Sequence, residues 1–285
     1  MQHEIVVILD YGGQTTQLIA RRVREAGVYC EIHPCTLPAD EIAAMRPMGL
    51  ILSGGPCSVY DEGAPQLDVP LLDLRQPGTD RPVPVLGICY GLQAVAHALG
   101  GAVEPSARRE FGRAHLAPRR AESPLFAGVP DGSVVWMSHG DHLTRLPDGF
   151  HVVASTDNAP IAAVASDDGR FHGVQFHPEV VHTASGAEML ANFVLNVCGC
   201  RGDWTTGSFI EDKKREIAAK VGDEHVLLGL SGGVDSSVAA VLLHEALGDR
   251  LTCVFVNNGL LREGEYEQVQ ATFRDHFHIR LHAVD

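Results

Sequence analysis

The sequence predicts an α/β protein with a mainly parallel central sheet flanked by helices, followed by the start of a second α/β unit. Three observations carry this reading. Short apolar runs, many of them β-branched, alternate with helical segments in the N-terminal part of the chain. A glycine-rich stretch at residues 198–207 interrupts that alternation. Strand and helix signals then begin again and continue towards Asp285.

Residues 5–9 form a buried strand, and residues 15–26 a helix that ends at Gly27. Residues 49–52 form the next strand, closed by Gly54 and Gly55. Residues 83–88 form a third, which runs into a helix over 92–99 stopped by Gly100 and Gly101. Between about residues 102 and 173 the pattern is weaker, with short strands at 134–137 and 152–154. Ser185 with Glu188, and Ser208 with Glu211, read as capping boxes that start two helices. Beyond the linker, residues 226–230 and 251–256 read as strands and residues 236–247 as the helix between them. The domain boundaries this implies are 3–202 and 203–285.

Length and composition agree, since 285 residues suffice for two domains and 45% hydrophobic content supports a sizeable core. The formal net charge of −14 argues against a nucleic-acid role, because no basic stripe is available to neutralise a phosphate backbone. Seven cysteines in a chain of this length fit reduced thiols better than a disulfide framework. Cys198 and Cys200 lack a second ligand pair at zinc spacing, so no metal is assigned to them. No basic segment followed by an apolar one opens the sequence, and no apolar run reaches membrane-spanning length. The expectation is a cytoplasmic protein with no membrane partner.

Gly87-Ile88-Cys89-Tyr90-Gly91 lies between a strand and a helix. It has the form of a nucleophile elbow with cysteine in place of serine. The flanking glycines permit a tight turn, and the helix N-terminus favours a thiolate. A nucleophile needs a base, and the base needs an orienter. In Gln175-Phe176-His177-Pro178-Glu179, His177 and Glu179 sit two apart in an extended segment and so share a face. Cys89 is thus the candidate nucleophile, His177 the proton shuttle and Glu179 the carboxylate that orients it. Ser53-Gly54-Gly55-Pro56 offers exposed amides after a strand, and the N–H groups of Gly55 and Tyr90 are candidate oxyanion donors. Each piece alone has an ordinary structural explanation, as a core cysteine or a surface turn; their joint occurrence points to catalysis.

Ser231-Gly232-Gly233-Val234-Asp235-Ser236-Ser237 follows a strand and opens a helix. Its glycines, hydroxyls and helix N-terminus form a phosphate cradle. The lysine of a Walker A loop is missing, which argues against ordinary γ-phosphoryl transfer.

The first set of motifs resembles the class I (triad) glutamine amidotransferases. Asp10-Tyr11-Gly12-Gly13-Gln14, the run from Gln17 to Glu25, and Trp136-Met137-Ser138-His139-Gly140-Asp141 resemble their GMP synthetase branch. The resemblance implies glutamine as substrate, a γ-glutamyl thioester intermediate, and contacts to glutamine from Gln93, Ser138 and His139. Ordinary helix polarity for Gln93 and turn chemistry for the other two are the alternatives. The Ser231–Ser237 loop resembles the pyrophosphate loop of N-type ATP pyrophosphatases, in a Rossmann-like domain of which this chain carries the first part. That likeness implies ATP as co-substrate, Mg2+ as its ion, and XMP as the molecule adenylated and then aminated. Asp235 is open between a role at the metal or loop and a helix-start carboxylate. Asn257 stands where many relatives have aspartate, which puts that position's part in nucleotide recognition in doubt. Related proteins continue beyond the equivalent of Asp285 and dimerise through a C-terminal domain, so a homodimer and an incomplete chain are both expected. Another glutamine-dependent adenylating enzyme, or a chain that binds without turnover, are the competing readings.

Overall fold

A computed structural model describes residues 3–117 and 122–285. The chain separates into two compact units, one running through Trp204 and the other from Thr205 to Asp285.

The first unit begins β1 (Ile5–Asp10), α1 (Thr16–Glu25), β2 (Tyr29–Pro34), α2 (Ala39–Ala44), β3 (Gly49–Leu52). It continues β4 (Val85–Ile88), α3 (Tyr90–Ala98), β5 (Ala102–His115), β6 (Val134–Arg145), β7 (Phe150–Ala154), β8 (Ala163–Ser166) and β9 (Phe171–Val174). It closes with α4 (Gly186–Ala191), which widens into a π-helical turn at Asn192–Val197.

Among the described residues, seven strands form one sheet in the order β2-β1-β3-β4-β9-β8-β7. From β2 to β9 every pairing is parallel, whereas β8 pairs antiparallel with both β9 and β7. A parallel sheet is covered on both faces, which is why β1 reads as an unbroken apolar run. Val6 and Ile8 face a core shared with Ile19, Ala20 and Val23 of α1. Val7 and Leu9 face the opposite core, shared with Leu92, Val95 and Ala96 of α3. β5 and β6 form a separate antiparallel hairpin with irregular register between Pro105 and Glu110.

This strand order has one consequence for chemistry. β1, β3, β4 and β9 are consecutive parallel neighbours, so their C-terminal ends open on the same sheet edge. Those ends carry the 10–14 loop, the Ser53–Pro56 loop, Cys89, and the segment from Gln175 to Glu179.

The second unit holds α5 (Thr206–Val221), β10 (Val226–Leu230), α6 (Val234–Leu247), β11 (Leu251–Val256), α7 (Glu265–Gln270) and β12 (Leu281–Val284). Its strands are parallel in the order β10-β11-β12. Leu230, Leu251, Cys253, Phe255, Val269 and Phe273 make its core.

Both expected capping boxes are corrected. Ser185 precedes α4 but makes no side-chain cap. The second box lies three residues earlier than expected, with Thr205 as the cap. Thr205 Oγ1 accepts from Ser208 N at 3.1 Å while Ser208 Oγ accepts from Thr205 N at 3.1 Å. Serine at the third helical position substitutes for the glutamate of the usual pattern. β2 and α2 are among the elements that escape the sequence reading. β2 carries Glu31 and His33 on a sheet edge, so its apolar signal is diluted. α2 spans only 6 residues, too few to show a helical period.

Candidate active site

Cys89 follows β4 directly and caps α3 with φ 49° and ψ −105°. Left-handed φ is costly for a residue with a Cβ, and such strain collects at functional positions. The neighbours of Cys89 explain how the turn is held. The Cys89 amide donates to Val174 O at 2.8 Å, and the Gly91 amide to Ser53 O at 3.1 Å. A Cβ on Gly87 would lie 2.7 Å from Leu92 N, and one on Gly91 would collide with Leu52 O. Both flanking positions therefore require glycine, as the motif predicts.

Beyond β9, His177 Nδ1 lies 2.7 Å from Glu179 Oε1. That carboxylate is fully buried, and its Oε1 also accepts from Thr15 Oγ1 at 2.6 Å. The His177 main chain is clamped as well. Its amide donates to Trp136 O at 3.0 Å, and its carbonyl accepts from Thr183 Oγ1 at 2.6 Å. With Nδ1 held by Glu179, Nε2 is the nitrogen left for the Cys89 sulfur. The imidazole and Cys89 also share a wall at Gly54. A Cβ there would lie 3.0 Å from His177 Cε1 and 3.7 Å from Cys89 Cβ. Burial opposes charge on the ring, but hydrogen bonds to Cys89 and Glu179, with their negative charge, outweigh it and raise the His177 pKa to about 10. Sulfur, imidazole and carboxylate thus stand in relay order above the sheet.

Of the two candidate oxyanion donors, Tyr90 directly follows Cys89, and Gly55 directly follows Gly54, whose added Cβ would lie 3.7 Å from Cys89 Cβ. Tyr90 occupies the first position of α3, where a helix N–H has no partner of its own. Gly55 packs against Tyr11, and a Cβ there would lie 2.6 Å from Tyr11 O. Among the described residues neither amide has a protein acceptor.

The three residues expected to hold glutamine are placed differently from one another. The carbonyl of Ser138, in β6, lies 3.8 Å from Cys89 Sγ. Gln93 is buried, and its NH2 group is spent on Asp141 O at 2.8 Å and Gln175 Oε1 at 3.3 Å. His139 is buried opposite Glu110 on β5, with Nε2 3.6 Å from Glu110 Oε2. Burial, reinforced by His142 and His177, lowers its pKa to about 4, so it is neutral at physiological pH. Thr15 and Gln175 were not singled out from sequence. Their partners lie 164 and 86 residues away, and no local pattern announces such contacts.

In the second unit, Ser231–Ser237 leaves β10 and opens α6, with Gly232 at φ +80°. Ser236 Oγ bonds Ser231 N at 3.2 Å, Ser231 Oγ at 3.0 Å and Gly233 O at 3.1 Å. Ser237 Oγ donates to Gly233 O at 2.7 Å. The loop is thus pre-shaped by its own serines. Val234 and Asp235 are exposed in the first turn. Asn257, at the end of β11, donates through Nδ2 to Asp285 Oδ1 at 2.7 Å and accepts from Gly259 N at 3.1 Å.

Together, the elbow, the relay behind it and the parallel sheet have the layout of an amidotransferase domain. The chain belongs to the class-I glutamine amidotransferases, whose family pattern matches residues 7–197. The NAD synthase family pattern matches residues 208–285. At the level of individual proteins, the likeness is to glutamine-hydrolyzing GMP synthases. The protein of Caldicellulosiruptor saccharolyticus is 52% identical over 285 residues, and that of Symbiobacterium thermophilum 54% over 284. Each match covers 100% of this chain and 54% of the relative, so the chain spans about half the length of these curated relatives. A solved structure from Thermoplasma acidophilum, assigned as one GMP synthase subunit, superposes with a TM-score of 0.57 at 30% identity. That match covers 75% of this chain and 99% of the other. Among the described residues no helix is long and apolar enough to cross a membrane.

Proposed function

We propose that the first unit hydrolyses glutamine at Cys89 and that the ammonia serves an ATP-driven amination of XMP to GMP in the whole protein. The observation that carries the first half is the Glu179–His177–Cys89 relay, with Nδ1 to Oε1 at 2.7 Å. The Cys89 thiolate attacks the γ-carboxamide carbon, and the C=O electrons move to oxygen. The amides of Gly55 and Tyr90 would receive that oxyanion, a contribution of roughly 3–4 kcal/mol per donor. His177, charged beside the thiolate, gives its proton to the departing nitrogen, and ammonia leaves a γ-glutamyl thioester. Water then attacks the thioester, His177 takes its proton, and glutamate departs with the thiolate restored. Glu179, 2.7 Å from Nδ1, holds the imidazole in orientation.

For the second half, the support is the Ser231–Ser237 loop after a parallel strand and the relatives' names. Its backbone amides and the start of α6 suit the phosphates of ATP. Cleavage between the α- and β-phosphates would adenylate an oxygen of XMP, and ammonia would displace AMP. Magnesium fits this donor set only in part. No group of three His, Cys, Asp or Glu side chains able to hold a metal occurs among the described residues. The ion would therefore be held chiefly by phosphate oxygens, with Asp235 as the loop's carboxylate. When bound, it would neutralise pyrophosphate charge. A cytoplasmic homodimer is the assembly that the family likeness supports.

A glutaminase assay of this chain against Cys89→Ala tests the proposal. Glutamate release by the wild type and none by the variant is the expected result; equal rates would remove Cys89 as the nucleophile.

A further inference from the structure

Two buried glutamines bear on the Cys89 sulfur. Gln175, the residue after β9, is fully buried, and its Nε2 lies 3.6 Å from Cys89 Sγ. Which end of an amide faces a neighbour must be decided from its network. Here the network starts from a main-chain atom. Asp141 O can only accept, so Gln93 must present its NH2 there, at 2.8 Å. The same NH2 donates to Gln175 Oε1 at 3.3 Å. With Oε1 taken by a donor, the NH2 of Gln175 is the end that meets the sulfur.

We propose that Gln93 and Gln175 form a buried amide relay that supplies a permanent N–H donor to the Cys89 sulfur, a role that rests on the triad proposed above. A hydrogen bond to the charged form of an acid favours that form, and bonds to an ionised acceptor are the stronger ones. His177 can also donate to the sulfur, but it gives up its proton during each turnover. An amide does not. Gln175 therefore favours the thiolate both at rest and when the sulfur is expelled from the thioester. Because it touches a reacting atom, Gln175 is a catalytic residue. Gln93 acts through it and is a positioning residue, which gives its buried NH2 a task other than binding substrate.

The test is the pH dependence of Cys89 alkylation by iodoacetamide in the 285-residue chain, with the modified cysteine identified by peptide mapping. Gln175→Met removes the donor and keeps the volume. Its apparent thiol pKa should rise by about 1, with alkylation at neutral pH about tenfold slower. Gln175→Glu should raise it further, since a second negative charge then meets the thiolate. Gln93→Leu leaves Gln175 in place but frees its amide to turn, and should give a smaller rise. That variant also decides between the outcomes if the Gln175 variants fail to fold by circular dichroism. His177→Ala is measured alongside. An unchanged profile there would count against the triad, while the Gln175 and Gln93 profiles decide the relay separately. Wild-type profiles in every folded Gln175 and Gln93 variant would overturn the proposal.

Discussion

Thr15→Val isolates the contact that holds the triad carboxylate. Thr15 stands at the N-cap of α1, where a threonine side chain ordinarily accepts a helix N–H. Here it makes no such cap, because its hydroxyl donates to Glu179 Oε1 at 2.6 Å instead. Valine keeps the shape and deletes only the donor, so no capping energy is lost with it. Among the described residues Glu179 Oε2 has no partner, and the side chain is fully buried, so water cannot replace the missing bond. A hydrogen bond to a buried charge contributes about 1.5–3 kcal/mol. Thr15→Val should therefore lower unfolding stability by about that amount. It should also cut glutaminase kcat/KM by about tenfold or more, as the imidazole loses its fixed orientation. Thr15→Ser, which restores the hydroxyl, should recover most of both. Urea titration and a coupled glutamate assay read the two quantities. A Thr15→Val protein with wild-type stability and kcat/KM would refute the reasoning, as would a Thr15→Ser protein equally impaired.

The remaining predictions concern the elbow and the buried histidines. Gly91→Ala should destabilise by about 3 kcal/mol or more, or fold without activity, because the new methyl meets a main-chain oxygen that cannot yield. Thermal unfolding checks this, and a stable, active variant would contradict the packing described. His177 has a folded pKa raised to about 10 from 6.5, so the stability it contributes is complete below pH 6.5 and lost as pH rises through 10. The stability gap between wild type and His177→Gln should accordingly shrink across that window; a constant gap would exclude the charged pair. His172, buried in β9, has a pKa lowered to about 4 by that burial, a shift its bond to Gly169 O only partly offsets. The folded state thus refuses a proton that the unfolded state accepts. Its stability contribution is present above pH 6.5 and falls towards pH 4 by up to about 1.4 kcal/mol per pH step. His172→Gln should flatten that acid slope in urea titrations at successive pH values, and an unaltered slope would show the shift to be wrong.

What the sequence disclosed was whatever local pattern encodes. The elbow is legible because both glycines answer steric demands within a few residues of Cys89. His177 and Glu179 are legible because two-residue spacing in an extended segment puts them on one side. The Ser231–Ser237 loop is legible because a turn between strand and helix needs that composition. Contacts made across the fold left no such trace. Thr15 stands at the start of a helical segment and Gln175 two residues before His177, and neither position announces its partner. Both acquire their partners only when β1, β4 and β9 align in the sheet. Of the hairpin of β5 and β6 only residues 134–137 are legible, because Pro105 and the irregular register near Glu110 break the alternation a strand would show. Capping also depends on how the chain enters a helix, and neither serine fixed that.

The central claim is that Cys89, alone of seven cysteines, is the group that reacts with the glutamine side chain. The most direct measurement is mass spectrometry of the chain after treatment with a γ-diazoketone analogue of glutamine, with L-glutamine as competitor. A single adduct on the Cys89 peptide, suppressed by glutamine and absent from His177→Ala, is the outcome expected. Labelling of another cysteine, or labelling of Cys89 that glutamine leaves unaffected, would contradict the account.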